Sequence, residues 1–384
     1  MNSKHKFCAL PLGILALALA GWLPSVSRGA DAENATSSAI WDWHTIGGGG
    51  YWSSGTTYAV FSSFSLTGPF GLTANSTFSS YSGFLFPFDP ALGIKNDFDG
   101  DRRADIAVYR QANGAWNIWL SGSGYALADG SGWGGKNFVP VASDYDGDLK
   151  TDPAVYNTIT GDWYFWMSSG GYAQTLVNGF GGGDWLASPA DFDGDRITDL
   201  GIYEPASSTL KVWLSHSGFV GVFANNLGGL RFAPVSEDYD GDRIADPAVY
   251  KARTGTWVIF LSGSDYASFS ASDLGGPALG APTYASPAAD YDGDGKADLA
   301  VYQATTGNWF MWLSGSGYGQ AVVRGYGGST WTPVAANYDG DTRVDLAVYQ
   351  QNTGNWMIWL SSFGYTRIDV SGWGGSEFEP VQPY

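Results

Sequence analysis

Asp290-Tyr-Asp-Gly-Asp-Gly-Lys-Ala-Asp298-Leu-Ala-Val-Tyr302 sets four carboxylates within nine residues directly against an apolar run. The arrangement returns at 97–105, 144–152, 191–199, 238–246 and 337–345. Successive copies start 47 residues apart four times and 52 apart once. A fixed period of this size marks a repeat architecture and decides the fold.

Working outward from the loop, each unit shows the same order. The apolar run ends in Tyr109, Tyr156, Tyr203, Tyr250, Tyr302 or Tyr349. Seven residues on stands Trp116, Trp163, Trp257, Trp309 or Trp356, with Leu210 in the third unit. Three further on comes Trp119, Trp166, Trp213, Phe260, Trp312 or Trp359. A Ser/Gly-rich turn, another apolar segment and Gly-Gly follow, then a pair such as Pro140-Val141 or Pro333-Val334 leads into the next loop. Aromatic and β-branched runs bounded by Gly, Asn and Ser are strand signals. About four short strands per unit predict an all-β chain, a β-propeller of 47-residue four-stranded blades. Ala115-Trp-Asn-Ile-Trp-Leu120 is apolar on both alternating faces, as a sheet sandwiched between neighbouring blades requires. Aromatics locked in register are read first as blade-to-blade packing.

Four acids this close repel one another unless a divalent ion sits among them. An EF-hand needs Gly at loop position 6, Glu at position 12 and flanking helices. Here Gly stands at position 4, Val108 or its equivalent at position 12, and a strand follows, so that reading fails. The coordination logic survives, because Ca²⁺ takes six to eight oxygen ligands in a tolerant geometry. The candidate ligands at positions 1, 3, 5 and 9 are Asp97, Asp99, Asp101 and Asp105; Asp144, Asp146, Asp148 and Asp152; Asp191, Asp193, Asp195 and Asp199; Asp238, Asp240, Asp242 and Asp246; Asp290, Asp292, Asp294 and Asp298; Asn337, Asp339, Asp341 and Asp345. Position 7 is Arg103, Lys150, Ile197, Ile244, Lys296 or Arg343. Such variety fits a ligand supplied by the backbone carbonyl. All-oxygen ligands without His or Cys exclude zinc and copper, and Mg²⁺ rarely uses an all-protein cage. The expectation is about six structural Ca²⁺ ions.

The loop, with the Tyr-terminated strand and Gly-x-Trp after it, resembles the FG-GAP/VCBS-type calcium repeat of integrin α-subunit heads and many bacterial secreted proteins. The likeness covers residues from about 87 to 384. The literal Phe-Gly and Gly-Ala-Pro signatures are largely replaced by Gly-Gly and Pro-Val. The resemblance implies a loop between the first and second strands of a blade, a structural ion, and adhesion as a theme.

Charge agrees with metal chemistry. Five loops of four Asp and one of three hold 23 of the 37 acidic residues, leaving 14 against 19 Lys and Arg in a chain of net charge −18. No basic stripe offers a nucleic-acid footprint. At the N-terminus Lys4-His5-Lys6 precedes an apolar run, and Ala30-Asp31-Ala32 follows as a cleavage candidate, with cleavage after Ser27 the runner-up. Residues 1–32 therefore read as a signal peptide, and 33–50 as a flexible entry segment. Trp22 stands where a lipoprotein signal would place Cys. Cys8, the one cysteine, lies inside the leader, so a processed chain has no disulfide. That suits an exported, secreted or extracellular protein stabilised by metal, with periplasm or cell surface as variants. No second apolar segment is long enough to span a membrane.

Residues 51–96 lack an acidic loop but contain strand-like runs, including 57–61, 63–66 and 84–86. Glu379-Pro-Val-Gln-Pro383 reads as the opening strand of another unit. Ring closure removes exposed sheet edges. The expectation is therefore seven blades, the C-terminal strand completing a seventh built from the N-terminal segment. Six blades with an N-terminal accessory hairpin is the alternative.

Catalysis is poorly provided for. The histidines are His5, His44 and His216, and no nucleophile elbow, P-loop or HExxH motif occurs. Acids outside the loops, such as Asp129, Asp162, Asp184, Glu204 and Asp369, are scattered. The leading reading is a monomeric, non-catalytic, calcium-stabilised extracellular module that binds a glycan or surface protein. The alternatives are a secreted polysaccharide-acting enzyme and a purely structural spacer. Acidic loops should emerge on one face, and the turns at 111–115, 158–162, 305–308 and 351–355 with the Gly-Gly loops on the other. The five-residue insertion between Gly276 and Pro287, with Tyr284, is a weak candidate for a binding loop on that second face.

Overall fold

The computed structural model describes the backbone of residues 51–54, 57–60, 78–81 and 84–87, and then residues 93–384 except 216, 217, 219 and 276–283, with backbone alone at 284 and 285. The leader, the entry segment, His44, His216 and most of the insertion lie outside the described residues. The chain divides into two units, Met1–Phe84 and Leu85–Tyr384, and the propeller lies in the second.

Six four-stranded antiparallel sheets form the propeller ring. Blade 2 shows the plan: Phe138–Pro140, Ala154–Asn157, Trp163–Met167 and Ala173–Val177, each strand beside the one before it. Blades 3 to 6 repeat it, with second strands Leu200–Glu204, Ala248–Lys251, Leu299–Gln303 and Leu346–Gln350. Blade 1 takes Ile106–Arg110, Ala115–Leu120 and Ala126–Gly130 from the start of the repeats and its first strand, Glu379–Pro380, from the end of the chain. Glu379 lies opposite Tyr109 and Pro380 opposite Val108.

This pairing corrects the seven-blade expectation. The C-terminal strand completes the first acidic-loop blade, not a further blade built from the N-terminal segment. The N-terminal strands instead form separate two-stranded sheets, Tyr51–Ser54 with Thr57–Val60 and Phe78–Tyr81 with Phe84–Pro87. A strand this short carries no mark of which edge it joins, so its sequence suits either partner.

The period-2 strands bury both faces, as Ile106–Arg110 and Ala115–Leu120 show. Six hydrophobic clusters result, each drawing on two adjacent blades. The one that closes the ring sets Ile106 and Trp119 of blade 1 against Tyr349, Trp356 and Ile358 of blade 6. Trp116, Trp163, Trp257, Trp309 and Trp356 are fully buried, so these five are packing residues. The second ring of aromatics stacks across the seams: Trp133 on Trp166 at 5.0 Å, Phe180 on Trp213 at 4.1 Å, Tyr326 on Trp359 at 4.1 Å and Trp373 on Trp119 at 4.9 Å.

Buried indoles need acceptors. Trp116, Trp163, Trp309 and Trp356 donate to the carbonyls of Trp133, Phe180, Tyr326 and Trp373. In blade 3, where Leu210 replaces the indole, the hydroxyl of Tyr203 donates to the equivalent carbonyl of Leu227 at 2.8 Å. The strand-two tyrosines also anchor the Gly-Gly loops. Gly328 N–H donates to the Tyr302 hydroxyl at 2.8 Å, and a Cβ on Gly327, at φ +114°, would collide with that hydroxyl. Among the described residues no helix is long and apolar enough to cross a membrane.

Candidate metal centres

Each acidic loop leads into the second strand of its blade and, in blades 2 to 6, joins it to the first; 144–152, for example, runs between Phe138–Pro140 and Ala154–Asn157. The turn after the third strand returns to the same face and packs onto the loop. Loop five illustrates how the backbone is wound around its acids. Asp290 accepts N–H bonds from Gly293 at 2.6 Å and Gly295 at 2.8 Å. Asp292 accepts from Gly315 at 3.1 Å, across the turn. Asp294 accepts from Lys296 at 3.0 Å and from the Ser314 hydroxyl at 2.8 Å. Asp298 takes Tyr291 N–H on one oxygen at 2.8 Å and Ser314 N–H on the other at 2.7 Å.

The position-9 acids repeat this double grip. Asp105 accepts from Phe98 and Ser121, Asp152 from Tyr145 and Ser168, Asp199 from Phe192 and Ser215, Asp246 from Tyr239 and Ser262, and Asp345 from Tyr338 and Ser361. The position-7 residues donate their N–H to the position-5 carboxylates: Arg103 to Asp101, Lys150 to Asp148, Ile197 to Asp195, Ile244 to Asp242 and Arg343 to Asp341.

A further ring of hydrogen bonds welds the loops to one another. The position-8 N–H of each loop donates to the position-1 carbonyl of the preceding one: Thr151 to Asp97, Thr198 to Asp144, Ala245 to Asp191, Ala297 to Asp238, Val344 to Asp290 and Ala104 to Asn337, at 2.6–2.8 Å. The last of these closes the circle between blades 6 and 1. Beside it, each position-7 side chain lies over the position-4 glycine of the loop before. A Cβ added to Gly100, at φ +80°, would meet the Lys150 stem at 2.9 Å, and Ile197, Ile244, Lys296, Arg343 and Arg103 occupy the same space above the other loops' glycines.

Carboxylate oxygens converge within 4.8 Å of one another in five loops: Asp97, Asp99 and Asp101; Asp144, Asp146 and Asp152; Asp191, Asp193 and Asp199; Asp238, Asp240 and Asp246; Asp290, Asp292 and Asp294. These trios have the spacing and the hard oxygen chemistry to hold a metal ion. Every trio includes the position-1 Asp, where loop six has Asn337.

An FG-GAP-like repeat family model matches residues 290–348, from the first acid of loop five through the strand that follows loop six. The chain folds as a six-bladed β-propeller, and its residues 290–348 match an FG-GAP-like repeat. A solved structure described for recognition of non-reducing terminal N-acetylglucosamine by an Agrocybe aegerita lectin is 16% identical, at a TM-score of 0.46 over 72% of this chain and 75% of that one. No curated protein matches the chain.

Burial sets the electrostatics of the repeat. Asp105, Asp152, Asp290 and Asp345 are pushed up to about 7 and Asp97, Asp199, Asp246 and Asp298 to about 6, in each case chiefly by desolvation and against the pull of their N–H donors. Asp144, Asp191, Asp238, Asp292 and Asp341 are raised for the same reason.

Two sets of residues escape a reading of the sequence alone. Ser121, Ser168, Ser215, Ser262, Ser314 and Ser361 bind the loops, and their signal is a serine 24 residues after the start of every copy. Position 7, freely variable by residue type, always carries an aliphatic segment beyond Cβ, and its packing over the neighbouring glycine is the reason.

A cavity of about 180 Å³ lies among the first strands and the chain end, lined by Ser188, Ser236, Glu237, Ser286 and Tyr384 among others. Glu237, its one lining acidic side chain, is ion-paired with Lys95.

Proposed function

We propose that this propeller is a non-catalytic, calcium-stabilised extracellular binding module for a glycan or surface protein. The observation that carries the reading is the use of the acids. Fully buried carboxylates at position 9 bond to two separate backbone segments each, within a ring of loops that fastens every blade to the next. Acids built in this way serve architecture. The position 1, 3, 5 and 9 oxygens, with the position-7 carbonyl, would hold Ca²⁺, which supplies the positive charge that buried acids call for. Millimolar extracellular calcium suits such loops, and the leader-like N-terminus agrees with export.

The cavity favours a binder over a glycosidase. Its one acidic side chain is already paired with Lys95, whereas two-carboxylate hydrolysis needs a second acid across the scissile bond. For binding, the acidic-loop face presents Tyr125, Tyr172, Tyr266, Tyr318 and Tyr365 at the same register, 38–52% exposed and each with left-handed backbone. Strained, half-exposed aromatics with a polar edge suit recognition.

Thermal unfolding with millimolar Ca²⁺ and with EDTA tests the metal, because a ligand of the folded state raises its stability. A large calcium-dependent rise is expected, and no shift would remove the metal from the reading. Glycan-array and surface-matrix binding, weakened by Tyr125→Ala and Tyr172→Ala, tests the binding role; turnover of a polysaccharide panel would overturn it.

A further inference from the structure

Loop six differs from the other five in more than its first residue. In those five, both oxygens of the position-1 Asp accept backbone N–H bonds. One comes from position 4 and the other, at 2.8 Å, from position 6: Arg102, Leu149, Arg196, Arg243 and Gly295. All five position-6 residues adopt left-handed backbone, at φ between 69° and 85°.

Asn337 can copy only half of this. Its Oδ1 accepts Gly340 N–H at 2.7 Å, as an Asp would. Its other terminal group is an NH₂, which donates and cannot accept. Accordingly Nδ2 donates to the carbonyl of Asp341 at 2.6 Å, and Thr342 is not among the left-handed residues. A β-branched residue is costly in that conformation, so Asn337 and Thr342 favour the same outcome. The peptide between 341 and 342 offers its carbonyl to position 1, where the other loops offer an N–H. The guanidinium of Arg343 supplies positive charge in place, with Nε 3.6 Å from Asp341 Oδ2.

We infer that loop six holds no calcium ion under conditions in which the other five are filled. Its donors and its cation are internal, and its carboxylates number three where the others have four. Calcium affinity follows the charge count of the ligands. This inference rests on the calcium reading of the other five loops, and an ion count separates the two.

The experiment is calcium quantification by mass spectrometry on purified protein dialysed against excess Ca²⁺ and then briefly against ion-free buffer. Five ions per chain are expected, matching the five carboxylate trios. Asp339→Ala should leave that count unchanged, whereas Asp292→Ala lowers it by one. Asn337→Asp combined with Thr342→Gly, which restores the acceptor and the left-handed position, should raise it by one. Six ions in the wild type, or a drop with Asp339→Ala, overturns this inference and leaves the calcium reading standing. An unchanged count in the double variant also overturns it. No bound calcium at all overturns both.

Discussion

The two faces of the propeller are fastened by opposite chemistries. On one, Asp105, Asp152, Asp298 and their equivalents gather backbone N–H groups around buried charge. On the other, tyrosine hydroxyls and indole N–H groups hold the Gly-Gly loops with no charge involved, as Tyr302 and Trp309 do through Gly328 and Tyr326. The contrast teaches that a single blade carries buried titratable acids at one end and only neutral hydroxyls and indoles at the other. Burial pushes Tyr109 up to about 12, so its hydroxyl stays neutral wherever the acids titrate.

The largest way to break that contrast is to change pH with and without calcium. Eight loop acids have folded values of about 6 or 7 against roughly 3.9 in an unfolded chain. A raised folded value gives stability that is fully present below the unfolded value and is lost as pH rises through the folded one. In EDTA, the melting temperature should therefore rise as pH falls from about 8 towards 4. With saturating calcium the acids stay ionised and protons compete with the ion, so the same change should lower it. A tenfold difference in proton affinity between folded and unfolded chain is worth about 1.4 kcal/mol per group, so several groups acting together outweigh any single substitution below. The same sign of slope in both buffers would break the assignment of the acidic face as an ion-controlled one.

Next in size is Trp309→Ala. The side chain is fully buried between blades 5 and 6 and donates to Tyr326. Removing a core aromatic of this size costs about 3–5 kcal/mol. Because Trp309 belongs to the neutral part of the blade, the loss in denaturant unfolding should be equal with calcium and with EDTA. A loss confined to one condition would show that the core and the acidic face are energetically inseparable.

Much of this division is legible in the sequence. The spacing of the acids, the Tyr ending each second strand and the Trp after it fix blade length, strand order and the single face for the loops. What escapes has a common cause. The sequence favours seven blades because the N-terminal segment also carries strand-like runs and closure removes edges, whereas the true partner of Glu379–Pro380 is settled only through space. Ser314 and its equivalents look like turn residues, because a serine beside glycine is ordinary turn chemistry. Their contact with Asp294 and Asp298 spans 20 and 16 residues and exists only after the blade folds. Position 7 looks permissive because Arg, Lys and Ile share no chemistry. They share an aliphatic segment beyond Cβ, which matters only once the preceding loop's glycine lies beneath it. The departure of loop six is visible as Asn337, but its consequence for the 341–342 peptide needs the backbone.

The finest test sets two single-atom-scale changes in the same blade against each other. Ser314→Ala removes the hydroxyl that donates to Asp294 at 2.8 Å while leaving the Ser314 backbone bond to Asp298 in place. Tyr302→Phe removes the hydroxyl that accepts from Gly328 at 2.8 Å. The Tyr302 hydroxyl also donates to the Gly328 carbonyl at 3.1 Å, so that change removes two neutral bonds worth about 1 kcal/mol each, and the Ser314 bond to a carboxylate is worth about 1.5–3 kcal/mol. The Ser314 loss should be larger in EDTA than in calcium, because an ion takes over the Asp294 charge that the hydroxyl otherwise helps to solvate. The Tyr302 loss has no charge to hand over and should not change with calcium. Thermal melts of the two variants in both buffers measure that difference directly. If the Tyr302 variant proves as calcium-sensitive as the Ser314 variant, the two faces are coupled through the four strands between them, and the blade responds to its ion as one body.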